Sequence, residues 1–169
     1  MKNESIVSPR LQKAVKRLAA DEYYSAQYYM FAPFAVQNDQ HATVCELFQQ
    51  LEGSSRLARF GRLVEWLAKY GVDIPYSEQE MKKCATPAVV KNAQCGRKNQ
   101  PASFYLDRAK ELEEQSMKTY KDTIDIEDVT YFTDLQSLLW QNYYDRGDNI
   151  GKLQTARIAF DAQCDLVMN

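Results

Sequence analysis

The sequence predicts an all-α fold: an antiparallel four-helix bundle with a long crossover between its second and third helices. Three observations carry that expectation. Apolar residues recur at three- and four-residue steps along four long stretches, the period of an amphipathic helix. Glycine and proline are scarce, 6 and 5 of 169 residues, and the prolines cluster towards segment edges. Short turns separate the first stretch from the second and the third from the fourth, while residues 71–100 form one long central connection.

The first helix is expected over about 9–32. Pro9 follows Ser8 as a first-turn proline follows an N-cap, and Leu11, Val15, Leu18, Ser25 and Tyr29 mark one face. Pro33 lacks a backbone donor and should end or kink it, with Asn38-Asp39 beginning a turn. The second is expected over about 42–70, with Thr43 near its start and Gly71 as its C′ residue. Its stripe takes in Leu47, Leu51, Leu57, Leu63, Val64 and Leu67, and Gly53 and Gly61 weaken it locally. In the 71–100 crossover, Ser77 with Glu80 three residues on is a capping-box signature for a short helix at about 78–84. The third helix, about 101–125, carries Leu106, Ala109, Met117, Tyr120 and Ile124. The fourth, about 128–167, carries Phe132, Leu135, Leu139, Leu153, Ala156 and Phe160.

Composition bounds the function. Hydrophobic residues make up 45% and charged residues 26%, the balance of a folded chain, and the length suits one domain over 1–169. Net charge is −2 with no basic stripe, which argues against nucleic acid as a partner. No apolar run approaches the roughly 20 residues of a membrane span, so no membrane partner is expected. Residues 1–10 are polar, without a signal-peptide core, and the expected location is cytoplasmic. Cys45, Cys84, Cys95 and Cys164 form no Cys-x-x-Cys pair and read as free thiols in a reducing compartment; Cys84 and Cys95 share one loop and are placed to pair in an oxidising one.

Chemistry is expected where polar residues interrupt the apolar stripes. Glu22 falls four residues after Leu18 and seven before Tyr29, and Glu113 falls four after Ala109 and seven before Tyr120. In the fourth helix Asn142, Asp145 and Asn149 lie between Leu139 and Leu153, with Asp148 three after Asp145; in the second, Arg56 and Arg59 border Leu63. A charge in a core position must be paired or bound to metal, and mid-height charges on four helices converge on one centre.

These residues resemble those of the ferritin-like superfamily, in particular bacterial non-haem ferritins and bacterioferritins, over all four helices. Glu22-Tyr23-Tyr24-Ser25-Ala26-Gln27-Tyr28-Tyr29 looks like the ferritin first helix, where a metal-ligand glutamate precedes a tyrosine beside the iron site by seven residues. Leu63 to Gly71 looks like the end of the ferritin second helix. The resemblance implies a di-iron centre built from a carboxylate on each of two helices and a Glu-x-x-His on each of the other two. Counted back from Gly71, the second-helix Glu-x-x-His falls on Arg56 and Arg59. Aligned on Gly147, its fourth-helix counterpart falls on Asp145 and Asp148.

The departures limit what the resemblance implies. Arginine only donates and cannot ligate a cation, and the lone histidine, His41, lies near a turn. Two readings follow. In one, Glu22, Glu113, Asp145 and Asp148 are ion-paired with Arg56 and Arg59, and no cofactor is bound. In the other, the surplus of carboxylates holds one hard divalent metal, Mn²⁺ or Fe²⁺. Tyr29 is the candidate redox neighbour; the other tyrosines, Trp66 and Trp140 read as packing residues, and His41 as a surface or interface residue. The implied function is a homo-oligomeric, ferritin-like iron storage or binding subunit lacking an efficient ferroxidase centre, and hence no enzyme in the ferroxidase sense. The alternative is a metal-free structural or interaction protein on the same bundle. The chain ends soon after the fourth helix, without room for the short fifth helix of large ferritin cages, which puts a 24-subunit shell in doubt and leaves the expected homo-oligomer open between a dimer and a larger shell.

Overall fold

A computed structural model describes residues 5–36, 40–51, 55–94 and 99–168. Seven α-helices are present among them: α1 Pro9–Ala35, α2 His41–Leu51, α3 Ser55–Lys69, α4 Glu78–Cys84, α5 Pro87–Ala93, α6 Ala102–Ile124 and α7 Thr133–Met168. A short 3-10 helix, Glu127–Tyr131, precedes α7. The expected second helix is carried by α2 and α3, with residues 52–54, and so Gly53, outside the description. The Asn38-Asp39 turn, Cys95 and hence any Cys84–Cys95 pairing also lie outside the described residues; Cys45, Cys84 and Cys164 are free.

Side-chain contacts fix the helix directions. At one end of the α1–α3 pair, Ser5 Oγ donates to Tyr70 O at 3.0 Å, so α3 returns antiparallel to α1. Tyr29 pairs with Glu113 and Tyr120 with Glu22, which sets α6 antiparallel to α1. Asn142 meets Tyr120 while Arg157 reaches back to Asp107, which sets α7 antiparallel to α6. Helices α3 and α6 are therefore parallel, and the crossover supplies the extra length that a parallel connection needs.

The crossover is structured along its length. At α4, Ser77 Oγ accepts from Glu80 N at 3.2 Å and the Glu80 side chain accepts from Ser77 N at 3.3 Å, the reciprocal cap that the sequence predicts. Helix α5 carries no such signature. Its N-cap, Thr86, makes no side-chain cap bond, and the helix is held by burying Val89, Val90 and Ala93. At the far end Asn99 N donates to Ala35 O at 2.6 Å, and Val36 and Gln100 form a short parallel bridge.

Some local expectations are corrected. Helix α1 continues through Pro33 to Ala35 rather than stopping at it. His41 opens α2, its ring against Phe34 and its Nδ1 on Pro33 O, half-buried against the end of α1. The turn of helix expected from 128 is 3-10, and α7 begins at Thr133. Leu57 is 48% exposed, because Arg56, one residue earlier, takes the inward position in phase with Leu63.

The apolar core has two parts. One gathers Tyr24, Tyr28, Phe48, Leu51, Tyr105, Leu106, Leu112 and Leu153. The other gathers Leu11, Val15, Leu18, Leu63, Leu67, Tyr120, Leu135 and Leu139. On α6 the two sets are separated by Glu113 and Ser116 and on α7 by Asn142, Arg146 and Asn149, which with Glu22 on α1 and Arg56 on α3 define a charged layer at mid-bundle.

One buried carboxylate outside that layer pins the crossover. Asp21, 2% exposed, accepts from Thr86 N and from Thr86 Oγ1, each at 2.7 Å. Burial pushes its carboxyl up to about 6, against the lowering effect of those two hydrogen bonds. The folded chain thus holds the proton more tightly than the unfolded chain, and the contribution of Asp21 to stability falls as pH rises from about 4 to about 6. Chemical denaturation of the wild type and Asp21→Asn across that range should show the variant gaining relative stability with pH, by up to about 3 kcal/mol. Parallel pH profiles would contradict this assignment.

Candidate functional site

The charged layer is a closed ring of four ionisable side chains, one from each of α1, α3, α6 and α7. Glu22 and Glu113 are 2% and 0% exposed, and Arg56 and Arg146 are 1% and 0% exposed. Each position follows from helical phase. Glu22 lies between Leu18 and Tyr29 on α1, and Arg56 lies seven residues before Leu63 on α3. Glu113 lies between Ala109 and Tyr120 on α6. On α7 the buried positions run Leu135, Leu139, Asn142, Arg146, Asn149 and Leu153, in three- and four-residue steps.

The ring consists of two similar halves. In one, Glu113 is bound by Arg56 through Nη2 and accepts from Tyr29 Oη at 2.7 Å, while the Arg56 guanidinium lies 4.5 Å from the Tyr29 ring centroid. In the other, Glu22 is bound by Arg146 through Nη2 and accepts from Tyr120 Oη at 2.7 Å, while Arg146 lies 5.9 Å from the Tyr120 ring. The halves are cross-linked. Arg146 Nη1 reaches Glu113 Oε2 at 3.4 Å and Arg56 Nη1 lies 3.8 Å from Glu22 Oε2. Asn142 Nδ2 donates to Tyr120 Oη at 3.1 Å. Burial and the Glu22 charge hold the Tyr120 phenol well above its usual pKa, so it stays protonated and donates to Glu22.

Two carboxylates against two guanidinium groups give a formal charge of zero. That neutrality makes full burial tolerable, because a buried charge is costly unless paired and hydrogen-bonded. Arginine is well suited to this position because its planar, always-charged fork serves two carboxylates at once and stacks on an aromatic face.

Three of the six residues expected at this centre, Glu22, Glu113 and Arg56, are brought together. Arg59 instead pairs with Asp145 at 3.2 Å towards the rim, where the Asp145 side chain is 40% exposed. Asp148 lies away from the ring, on the wall of a separate surface pocket with Leu47, Leu51 and Ala156. On α7 the inward residue is Arg146, one position from Asp145. One residue is a rotation of about 100° on a helix, since a turn takes 3.6. The signal that identifies Arg146 is its spacing, seven residues after Leu139 and seven before Leu153; alignment on Gly147 obscures it.

A metal bound between Glu22 and Glu113 does not fit this donor set. Both carboxylates already accept from a guanidinium and a phenol. Glu22 Oε2 takes no hydrogen bond from the described residues, but it faces the Arg56 cation. Among the described residues no group of three His, Cys, Asp or Glu side chains is arranged to hold a metal ion.

No family model and no curated protein matches the sequence. Solved structures do match the fold. Dps from Thermosynechococcus elongatus aligns with a TM-score of 0.74 at 13% identity, over 86% of this chain and 88% of that one. The bacterioferritin-related protein of Bacteroides fragilis, a dodecameric thioferritin, aligns at 0.73 and 10% identity over 94% and 89%. The chain has the ferritin-like fold. A ferritin-like di-iron-carboxylate protein from Bacillus anthracis str. Ames aligns over 89% of this chain and 99% of its own length, with a TM-score of 0.68 at 16% identity. The ferritin-like bundle is therefore matched nearly end to end, while at these identities the chemistry must be read from this chain's own residues.

Removing one member of the ring leaves a charge buried without its counterpart. Arg146→Ala and Arg56→Ala should each destabilise the chain by about 3–5 kcal/mol. A double-mutant cycle of Arg146→Met with Glu22→Leu should show the pair losing less than the sum of the single losses, as residues in one network do. Additive losses in urea denaturation would mean that the two do not interact.

Proposed function

We propose that this chain is the subunit of a homo-oligomeric, ferritin-like assembly in which an ion-paired core replaces internal metal chemistry. The observation that carries this reading is the neutral ring: Arg56 and Arg146 supply, from within the chain, the positive charge that Glu22 and Glu113 require. A further cation arriving there would have to displace a guanidinium and meet its repulsion at close range in a medium of low polarity. The centre is thus a structural tie across four helices rather than a ferroxidase, and the chain is not an enzyme in that sense. Any iron held by the assembly would be bound by carboxylates on its surfaces.

Self-association is supported from two sides. The Bacteroides fragilis neighbour is a dodecamer. On this chain Met30, Phe31 and Phe34 near the end of α1 are 54%, 59% and 75% exposed, as are Ile158, Leu166 and Val167 on α7 at 70%, 79% and 87%, more large apolar surface than an isolated bundle needs to leave in water. No helix among the described residues is long and apolar enough to cross a membrane.

Light scattering should give the mass of a closed homo-oligomer, and a monomer at micromolar concentration would contradict the assembly. Aerobic addition of Fe(II) at pH 7 should produce oxidation no faster than buffer, with substoichiometric iron after gel filtration. Oxidation above buffer that is lost in Glu22→Ala would place working metal chemistry in the ring. Iron retained equally by wild type and Glu22→Ala would instead assign storage to the assembled surface.

A further inference from the structure

Away from the ring, a cleft of about 520 Å³ opens between α1 and α6, with the start of α5 along one side. Its charge is out of keeping with the chain. The protein carries a net charge of −2, yet Arg10, Lys13, Arg17 and Lys118 line this cleft against a single acid, Asp122. Three of the four cations share one face of a single helix, and the fourth joins them from another helix only on folding. Arg10, Lys13 and Arg17 sit at i, i+3 and i+7, one face of α1, and Lys118 faces them from α6.

Elsewhere on the surface some cations are matched and others, such as Lys16, Arg62, Lys82, Lys83, Lys91 and Lys152, are dispersed without a salt bridge to a described residue; what sets the cleft apart is four cations on one concave surface. Of the matched cations, Lys69, Lys110, Lys121 and Arg157 each bind a carboxylate, at 2.9, 3.5, 2.5 and 2.9 Å. None of Arg10, Lys13, Arg17 and Lys118 makes a salt bridge to a described residue. The nearest buried acid, Asp21, is turned to Thr86 and accepts both of its hydrogen bonds there. Four like charges gathered on one concave surface repel one another, and an anion relieves that repulsion.

We propose that this cleft binds an organic polyphosphate, a small molecule with several ionisable phosphate oxygens and an apolar or planar remainder. The volume lies within the roughly 300–1,000 Å³ of small-molecule sites. The three cations of α1 extend over about 10 Å at 1.5 Å per residue, a length that suits several phosphoryl groups rather than one. Ala14 and Ile126 offer apolar surface for the remainder, and Gln115 and Thr119 offer polar groups at its edge. Two arginines favour phosphate because the guanidinium fork binds two oxygens together.

Isothermal titration of the full-length protein with ATP, tripolyphosphate and adenosine tests the site. ATP and tripolyphosphate should bind, more weakly as salt rises, and adenosine should not. Arg17→Glu and Lys118→Glu should each weaken binding at least about tenfold, as expected for losing a charge-assisted hydrogen bond and gaining a like charge. Arg17→Gln should weaken it less. Lys82→Glu, on the exposed side of α4, should leave it unchanged. Circular dichroism before each titration confirms that a variant is folded. Absence of binding by either polyphosphate at millimolar concentration would overturn the proposal, as would affinity untouched by Arg17→Glu and Lys118→Glu, or lowered equally by Lys82→Glu.

Discussion

A charge taken out of water must meet its opposite, and in this bundle Glu22 and Glu113 meet Arg56 and Arg146. The remaining architecture is arranged around that requirement. Four helices each contribute one member, so the ring forms only when all four are in register. The two parts of the apolar core close above and below it and keep water out. Tyr29 and Tyr120 complete it, each placing a hydroxyl on one carboxylate and a ring face under the guanidinium that binds the same carboxylate. Such a ring need not stabilise the bundle relative to an all-apolar core. What it penalises is any sliding of one helix against another, because a helix out of register leaves a charge buried alone.

The approximate symmetry of the ring has a sequence basis. Glu22 precedes Tyr29 by seven residues, and Glu113 precedes Tyr120 by seven. Seven residues are close to two helical turns, so each glutamate and tyrosine share a face. The tyrosine of each helix nonetheless serves the glutamate of the other, because α1 and α6 run antiparallel. The same spacing on antiparallel helices thus yields two interlocked halves, and the arginines of α3 and α7 complete one half each.

Much of this was legible in the sequence, and what was not has a physical reason. The four-helix order, the central crossover, the α4 cap and the inward placement of Glu22, Glu113 and Arg56 all follow from helical phase and capping chemistry. Arg146 required the same phase argument on α7, where Leu139, Asn142, Arg146, Asn149 and Leu153 keep the three- and four-residue steps. A chain that places arginine inward beside Asp145 and Asp148 invites the opposite choice, since carboxylates rather than guanidinium groups are the expected metal ligands. Leu57 and Arg56 present the same inversion on α3, with the apolar residue outside and the charged one inside. Helix α5 was missed although Thr86-Pro87 repeats the N-cap and first-turn proline of Ser8-Pro9, because it is only seven residues long and is held by burying Val89, Val90 and Ala93. The cation cluster on the α1–α6 cleft was legible only in part: Arg10, Lys13 and Arg17 share one helical face, but Lys118 and the concave surface join them only in three dimensions.

The most direct measurement is a diffraction experiment at the iron absorption edge on crystals soaked in Fe(II) near neutral pH. A neutral, self-contained ring predicts clear density for both guanidinium groups against Glu22 and Glu113 and no anomalous peak between the two carboxylates. An anomalous peak bridging them, with Arg56 and Arg146 swung aside, would contradict the account.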